Sequence, residues 1–319
     1  DGSWRFTPAT ALRNSRGVFP DTDGWNPRNV GGGYTTTAAL AYALTWSQNI
    51  ATAALLQEAG GPAELIALAR TLGFETRGWP EELGLALGQG EATPLEMARF
   101  VATVIGEGKL ASGWPVMQVT DARGRSRLRV EGWGDQVLPP EAAALTRDMM
   151  RAVIEQGTGG ASRGGGGFPG YGGPAIGKTG TTDSEKDLWF VGGTPDYANA
   201  LWIGYDQPVR IGASASDLAS PLWGWWTRAL HQGMPQAEFQ GEVKTTSRAI
   251  CLVSGGLSNG SCPLTGAPFL PGTEPKKACT QLHTRAPEVE GEEKEDKGYE
   301  GLWKRKQREA EEKAATEGG

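Results

Sequence analysis

One basic group stands among hydroxyls and glycine in the stretch Gly177-Lys178-Thr179-Gly180-Thr181-Thr182. It offers one ammonium, several hydroxyls and a glycine that lets a ligand lie against the backbone. Much earlier, Ser47-Gln48-Asn49 carries a hydroxyl and a carboxamide within one turn of chain. These two stretches are the best candidates for a shared site. Lysine, not histidine, would have to manage protons there. The two histidines are His231 and His283, so the first 230 residues contain none, and a Ser-His-Asp mechanism lacks its base. Lysine is scarce too, with only Lys109 and Lys178 before residue 186. Each group also has a plain structural reading. Ser and Asn between two helices are natural caps, a strand lysine can simply be solvated, and threonines are ordinary strand formers.

These residues need elements to hold them. Lys178 follows a Gly-rich loop and precedes two short apolar runs, 188–191 and 198–205, the pattern of an edge strand beside a cleft. Turns as short as Gly193-Thr194-Pro195-Asp196 favour antiparallel pairing. Upstream, Leu40 and Leu44 lie one helical turn apart, which predicts a helix over 36–46. A second is expected over 50–58, closed by Gly60-Gly61, and a third from Pro62 to about Gly73. Thr93-Pro94-Leu95-Glu96 reads as a capping box that opens a helix running to about Ile105. Residues 116–120 and 126–130 predict a hairpin with one wet face, turning at 121–124. A helix over 140–156 should carry Leu145, Met149 and Val153 on one side. Another over 220–232 should turn Leu222, Trp223, Trp226 and Leu230 toward the sheet. Helices first and a small sheet late make the fold class α+β.

The glycine-rich span 157–173 is expected to be mobile. Within it the glycine run 164–167 reads as a flexible lip rather than a phosphate cradle, because no Gly-Lys-Ser/Thr opens a helix after it. Asp187, at a strand start, reads as structural and paired with a nearby cation. Glu91 and Glu96 read as caps and helix polarity rather than acid–base groups. The chain has 319 residues and a net charge of -6, with no Lys/Arg block on an aromatic face, which argues against a nucleic-acid partner. No apolar run reaches the roughly 18 residues that cross a bilayer. The composition divides the chain into residues 1–234, a Pro-, Gly- and Cys-rich module at 235–285, and a charged tail at 286–319. The tail is expected to be disordered or a single solvated helix.

Ser-x-x-Lys, Ser-Asp-Asn and Lys-Thr-Gly together mark serine β-lactamases and penicillin-binding proteins. Here the second reads Ser47-Gln48-Asn49 and the third Lys178-Thr179-Gly180. Further segments stand in order around them: Trp25-Asn26-Pro27-Arg28-Asn29, the run 85–96, Gly157-Thr158-Gly159, Asp187-Leu188-Trp189-Phe190-Val191-Gly192, and the late run 269–275. On these segments, residues 17–280 resemble the transpeptidase domain of a class A penicillin-binding protein. The resemblance implies a helical lobe beside a small antiparallel sheet. It implies that Ser47 relays a proton toward the leaving amine and that Asn49 hydrogen-bonds substrate. Lys178 would set the electrostatics, Thr179 and Thr181 would receive the carboxylate of a D-alanyl-D-alanine stem peptide or a β-lactam, Gly180 would permit its close approach, and Thr182 would also bind substrate. The Thr181 N–H would form one arm of an oxyanion hole.

The nucleophile of the family is the serine of Ser-x-x-Lys, and no serine in this chain is followed by lysine at the third position. The expectation is therefore a domain truncated at its N-terminus. It would lack its first strands and the nucleophile helix, leave a sheet edge open, and be inactive alone. A serine β-lactamase, a D,D-carboxypeptidase and a non-catalytic stem-peptide-binding module are the alternatives. No cofactor is implied. The implied partners are peptidoglycan stem peptides, β-lactams, and a glycosyltransferase domain and membrane anchor upstream, on the extracytoplasmic face of the membrane. For an exported module, Cys251, Cys262 and Cys279 suggest one disulfide with a thiol left over. A zinc site joining all three to His283 is the second reading, with spacings wider than in usual zinc fingers.

Overall fold

The computed structural model describes residues 5–20, 24–30, 34–281 and 283. The charged tail at 286–319 lies outside the described residues. The chain opens with β1 (Ala11–Arg13) and β2 (Thr37–Ala39), an antiparallel pair. The helix predicted from residue 36 starts later, as α1 (Leu40–Thr45), because the β-branched run Thr35-Thr36-Thr37 prefers extended backbone. Then come α2 (Asn49–Ala59), α3 (Pro62–Thr71) and α4 (Pro94–Ile105). The capping box forms as predicted. The Glu96 N–H donates to Thr93 Oγ1 at 3.3 Å, and the Thr93 N–H donates to Glu96 Oε2 at 2.7 Å.

Strand β3 (Lys109–Ala111) leads to a hairpin of β4 (Gln118–Thr120) and β5 (Ser126–Arg129), and β6 (Trp133–Gln136) returns to pair with β3. The hairpin turns where expected, and the Asp121 carboxylate fastens it to Arg125 and Arg127 at 2.8 and 2.9 Å. It is exposed on both faces rather than one, with every residue of β4 and β5 accessible to solvent.

Helix α5 (Pro140–Gln156) is buried more broadly than the predicted stripe. Ala143, Ala144, Met150, Ala152, Val153 and Ile154 are covered, and so is the ion pair of Arg147 with Asp148, at 3.1 Å. The helix touches α1, α4 and later strands at once, which a single apolar face cannot do.

Strands β7 (Gly164–Gly165) and β8 (Phe168–Pro169) make a small hairpin, followed by β9 (Ile176–Thr181), β10 (Leu188–Gly193) and β11 (Ala198–Ile203). The last three form an antiparallel sheet in the order β11-β10-β9, so β9 lies at an edge as expected. Its central strand is apolar at successive positions because both faces are covered. Leu188 and Phe190 join Ile154 and Trp223 on one side, while Val191 and Trp189 join Val101, Val104, Met150 and Ile176 on the other.

Helix α6 (Ser220–Leu230) supplies Trp223 to the first of these clusters. The rest of its predicted stripe does not follow, since Trp226 is 55% and Leu230 36% exposed. The buried face runs instead through Trp223, Gly224 and Thr227. Gly224 sets it: a Cβ there would stand 2.0 Å from the Ser162 carbonyl oxygen, so helix and loop meet backbone to backbone. The same contact packs the 157–173 span against the body of the fold. Ser162 and Tyr171 are buried, Arg163 donates to the Tyr171 carbonyl at 3.1 Å, and Ser220 Oγ holds the Gly159 carbonyl at 3.0 Å.

Finally β12 (Thr246–Cys251) and β13 (Leu264–Phe269) form an antiparallel hairpin. Ile250, Ala267 and Phe269 bury against Ala39 and Ala41.

Candidate active site

Three chain segments meet at β9, around Lys178 and Thr179. Along β9, side chains alternate in direction. Lys178 and Ile176 share one face, and Thr179 and Thr181 share the other. Lys178 Nζ donates to Ser47 Oγ at 2.6 Å and to the Thr179 carbonyl at 2.9 Å. Burial pushes the Lys178 ammonium down to about 8, so near neutral pH the site holds a lysine that can give or take a proton at small cost.

Ser47 occupies the turn between α1 and α2, with φ at 56°. That left-handed conformation is unfavourable for a residue with a Cβ, and it holds the hydroxyl half-buried against Lys178. Neither Ser47 nor Asn49 caps α2, whose N-terminus has no side-chain cap, so the capping reading of this tripeptide is set aside. Asn49 Nδ2 donates to the Arg28 carbonyl at 2.7 Å, and Asn29 Oδ1 accepts the Ile50 N–H at 3.1 Å. The segment around Trp25-Asn26-Pro27-Arg28-Asn29 is thus a brace for the turn. Gln48 is buried and accepts from Asn14 at 3.3 Å. Sequence reasoning gave Gln48, Asn14 and Asn29 no individual role. Nothing local in the sequence marks them, because they meet only in the folded chain.

The third segment is the loop after α5. A Cβ at Gly157 would stand 2.1 Å from the Thr45 carbonyl oxygen, so this loop lies directly on the end of α1. It carries Thr158, whose hydroxyl meets that of Thr179 at 2.7 Å. Thr158 is a site residue that the sequence reading named only as part of a segment. On the same face of β9, Thr181 Oγ1 accepts the Ala215 N–H at 3.0 Å. Thr182 is turned away from this group. Its hydroxyl accepts the Asp187 N–H at 2.9 Å.

Among the described residues, no cation pairs with Asp187. Its carboxylate accepts the Trp202 indole N–H at 3.0 Å and thereby pins the start of β10 to β11. Glu96 serves the capping box and the Glu75 N–H, at 2.7 Å, as a structural group. The disulfide expectation is not met either, for Cys251, Cys262 and Cys279 are free thiols.

A serine hydrogen-bonded to a half-buried lysine on an edge strand can pass a proton between hydroxyl and amine. Residues 6–208 match the family described as penicillin binding protein transpeptidase domain, and the chain belongs to that family. Penicillin-binding protein 1A of Neisseria lactamica is 32% identical over 227 residues, covering 69% of this chain and 28% of that protein. Penicillin-binding protein 1A from Haemophilus influenzae has a similar fold, with a TM-score of 0.70 at 22% identity, covering 86% of this chain and 46% of that one. PonA1 from Mycobacterium tuberculosis, solved in complex with penicillin V, gives a TM-score of 0.63 at 25% identity over 75% of this chain and 68% of that one. The chain spans between about a quarter and a third of the length of the curated relatives it matches.

Proposed function

We propose that this chain forms the proton-relay and substrate-docking wall of a peptidoglycan D,D-transpeptidase, which cross-links D-Ala-D-Ala stem peptides through a serine acyl-enzyme and is trapped by β-lactams. The observation that carries this reading is the 2.6 Å hydrogen bond between Lys178 and Ser47, within a chain of the transpeptidase family. Ser47 Oγ gives its proton to the leaving D-Ala amine as the C–N bond breaks, and Lys178 Nζ restores it. When an acceptor amine then attacks the acyl-enzyme, the surplus proton returns along the same path. A relay of this kind contributes roughly 10²–10⁴-fold to the rate, and a lysine near pKa 8 suits both directions.

The Ala215 N–H donates to Thr181 and leaves that hydroxyl's proton free for the terminal carboxylate. The Thr158 and Thr179 hydroxyls share a bond in which either can donate, and Thr179 turns its proton to the carboxylate when Thr158 is the donor. Gly180 lets the stem lie against β9, and the Thr181 N–H serves the oxyanion. Asn49, held through its amide nitrogen, presents its oxygen to the substrate. The acylated serine belongs to a Ser-x-x-Lys segment outside these 319 residues. The whole protein works on the extracytoplasmic face of the membrane beside a glycosyltransferase domain.

Labelling with a fluorescent penicillin tests this. The protein with its preceding sequence should label covalently, and Lys178→Ala and Ser47→Ala should slow labelling by about 10²–10⁴-fold. No label on the longer protein would end the transpeptidase reading. Covalent label on the 319 residues alone would place the nucleophile within them. Rapid hydrolysis of the label, with no cross-linked product from stem peptides, would favour a β-lactamase or carboxypeptidase.

A further inference from the structure

We infer that Cys251, Cys262, Cys279 and His283 bind one zinc ion, which locks the C-terminal hairpin onto the strand and helix that lead to Ser47. Their four ligand atoms all lie within 4.8 Å of one another. His283 Nε2 stands 3.3 Å from the Cys251 sulfur and 3.3 Å from the Cys279 sulfur. With Zn–S near about 2.3 Å and Zn–N near about 2.0 Å, tetrahedral ligands stand roughly 3.5–3.8 Å apart. The cluster therefore closes on an ion with small movements of side chains. Three sulfurs and one imidazole suit a structural, four-coordinate zinc, whereas calcium and magnesium select oxygen. A disulfide would use two of these sulfurs, strand the third and leave the imidazole without a purpose.

Two of the three sulfurs already accept backbone N–H groups as thiolate ligands do, while the Cys262 thiol donates to Asn259 Oδ1 at 3.2 Å. The Ser254 N–H donates to the Cys251 sulfur at 3.5 Å, and the Gln281 N–H donates to the Cys279 sulfur at 3.4 Å. Such outer hydrogen bonds orient ligands and spread their charge. The Asn259 side chain donates to the Cys279 and Gln281 carbonyls at 3.1 and 2.8 Å, and its oxygen accepts the Ser261 N–H at 3.0 Å. The loop carrying Cys262 is thereby tied to the segment carrying Cys279. Binding balances as one Zn²⁺ and three thiols giving a complex of net charge −1 and three released protons, with a neutral imidazole as the fourth ligand.

The position gives the ion its effect. Cys251 ends β12, and the next two carbonyls bind the early chain: Leu252 O accepts the Ala39 N–H at 2.8 Å, and Val253 O accepts the Thr37 hydroxyl at 2.9 Å. Gly255 fits so closely that a Cβ would stand 1.8 Å from the Ala9 carbonyl oxygen. Strand β2 runs directly into α1, and α1 into Ser47. The inference is independent of the transpeptidase reading.

The full chain, purified under reducing conditions from zinc-supplemented cells, is expected to carry one zinc per molecule by elemental mass spectrometry. Replacement by Co²⁺ should produce the visible bands and thiolate charge-transfer absorption of tetrahedral cobalt. Chelation should lower the melting midpoint, with recovery on adding Zn²⁺ but not Mg²⁺. Cys279→Ser and His283→Ala should lose the stoichiometric metal. Absence of both zinc and the cobalt spectrum in the unaltered chain would overturn the inference. So would a metal-free disulfide by intact mass, or metal retained by both variants. Should a variant fail to fold, the cobalt spectrum of the unaltered chain still reports tetrahedral thiolate ligation, and its absence overturns the inference.

Discussion

At Lys178 Nζ, two of the three ammonium hydrogens are already directed, one at Ser47 Oγ and one at the Thr179 carbonyl. Burial still disfavours the charge and lowers the group from 10.5 to about 8. Between those values the unfolded chain holds a proton at this lysine that the folded chain does not. Stability therefore rises with pH across that window, and the full penalty, on the order of 3 kcal/mol, stands below it. Urea unfolding of the chain and of Lys178→Met should show the native chain gaining on the variant from pH 7 to pH 10. Parallel stabilities over that range would refute the depressed pKa. Ser47 offers a second test. Its φ of 56° makes alanine and glycine unequal replacements, although both remove the relay hydroxyl. Ser47→Gly should be more stable than Ser47→Ala by about 1 kcal/mol, with acylation equally impaired in both.

Among elements, the joint between α1 and α5 matters most to the site. Gly157 lies on the Thr45 carbonyl with no room for a Cβ. Gly157→Ala must push the end of α5 away from the turn that carries Ser47 and move Thr158 away from Thr179. The expected result is a loss of about 1–3 kcal/mol in urea unfolding together with slower acylation by penicillin. Thr93→Ala, at the capping box of α4, provides the contrast. It should cost about 1 kcal/mol and leave the rate of acylation unchanged. Equal effects of the two on labelling would mean that the joint has no special part in positioning the site.

The whole molecule is held by a sheet covered on both faces and by a hairpin that returns to the start of the chain. Phe269, fully buried, packs with Ile250 and Ala267 against Ala39 and Ala41. Met149 of α5 joins the same cluster. Residues divided by composition at 234 thus share one core. We expect Phe269→Ala to lower stability by about 3–5 kcal/mol and the chain to melt in one cooperative transition, followed by calorimetry. Two separated transitions would show instead that the C-terminal hairpin folds as its own unit.

The sequence by itself determined the features that depend on near neighbours. Pro and Thr at 93–94 and Pro140 place the starts of α4 and α5, and Gly106 and Gly157 place their ends. Short turns and apolar runs dictate the antiparallel strands around Lys178. The ordered motifs carry the family. Tertiary structure alone decided the rest, because those outcomes rest on contacts between distant residues. The backbone approach of Gly224 to Ser162 packs a loop whose glycines suggest motion against α6 and turns that helix away from its most apolar face. The β-branched run at 35–37 finds β1 as a strand partner and delays α1. Asp187 meets an indole and a hydroxyl rather than a cation, and three widely spaced cysteines converge with His283. Ser47 and Lys178 are 131 residues apart. Local propensity cannot bring them together, and only the packing of α1, α5 and β9 does so.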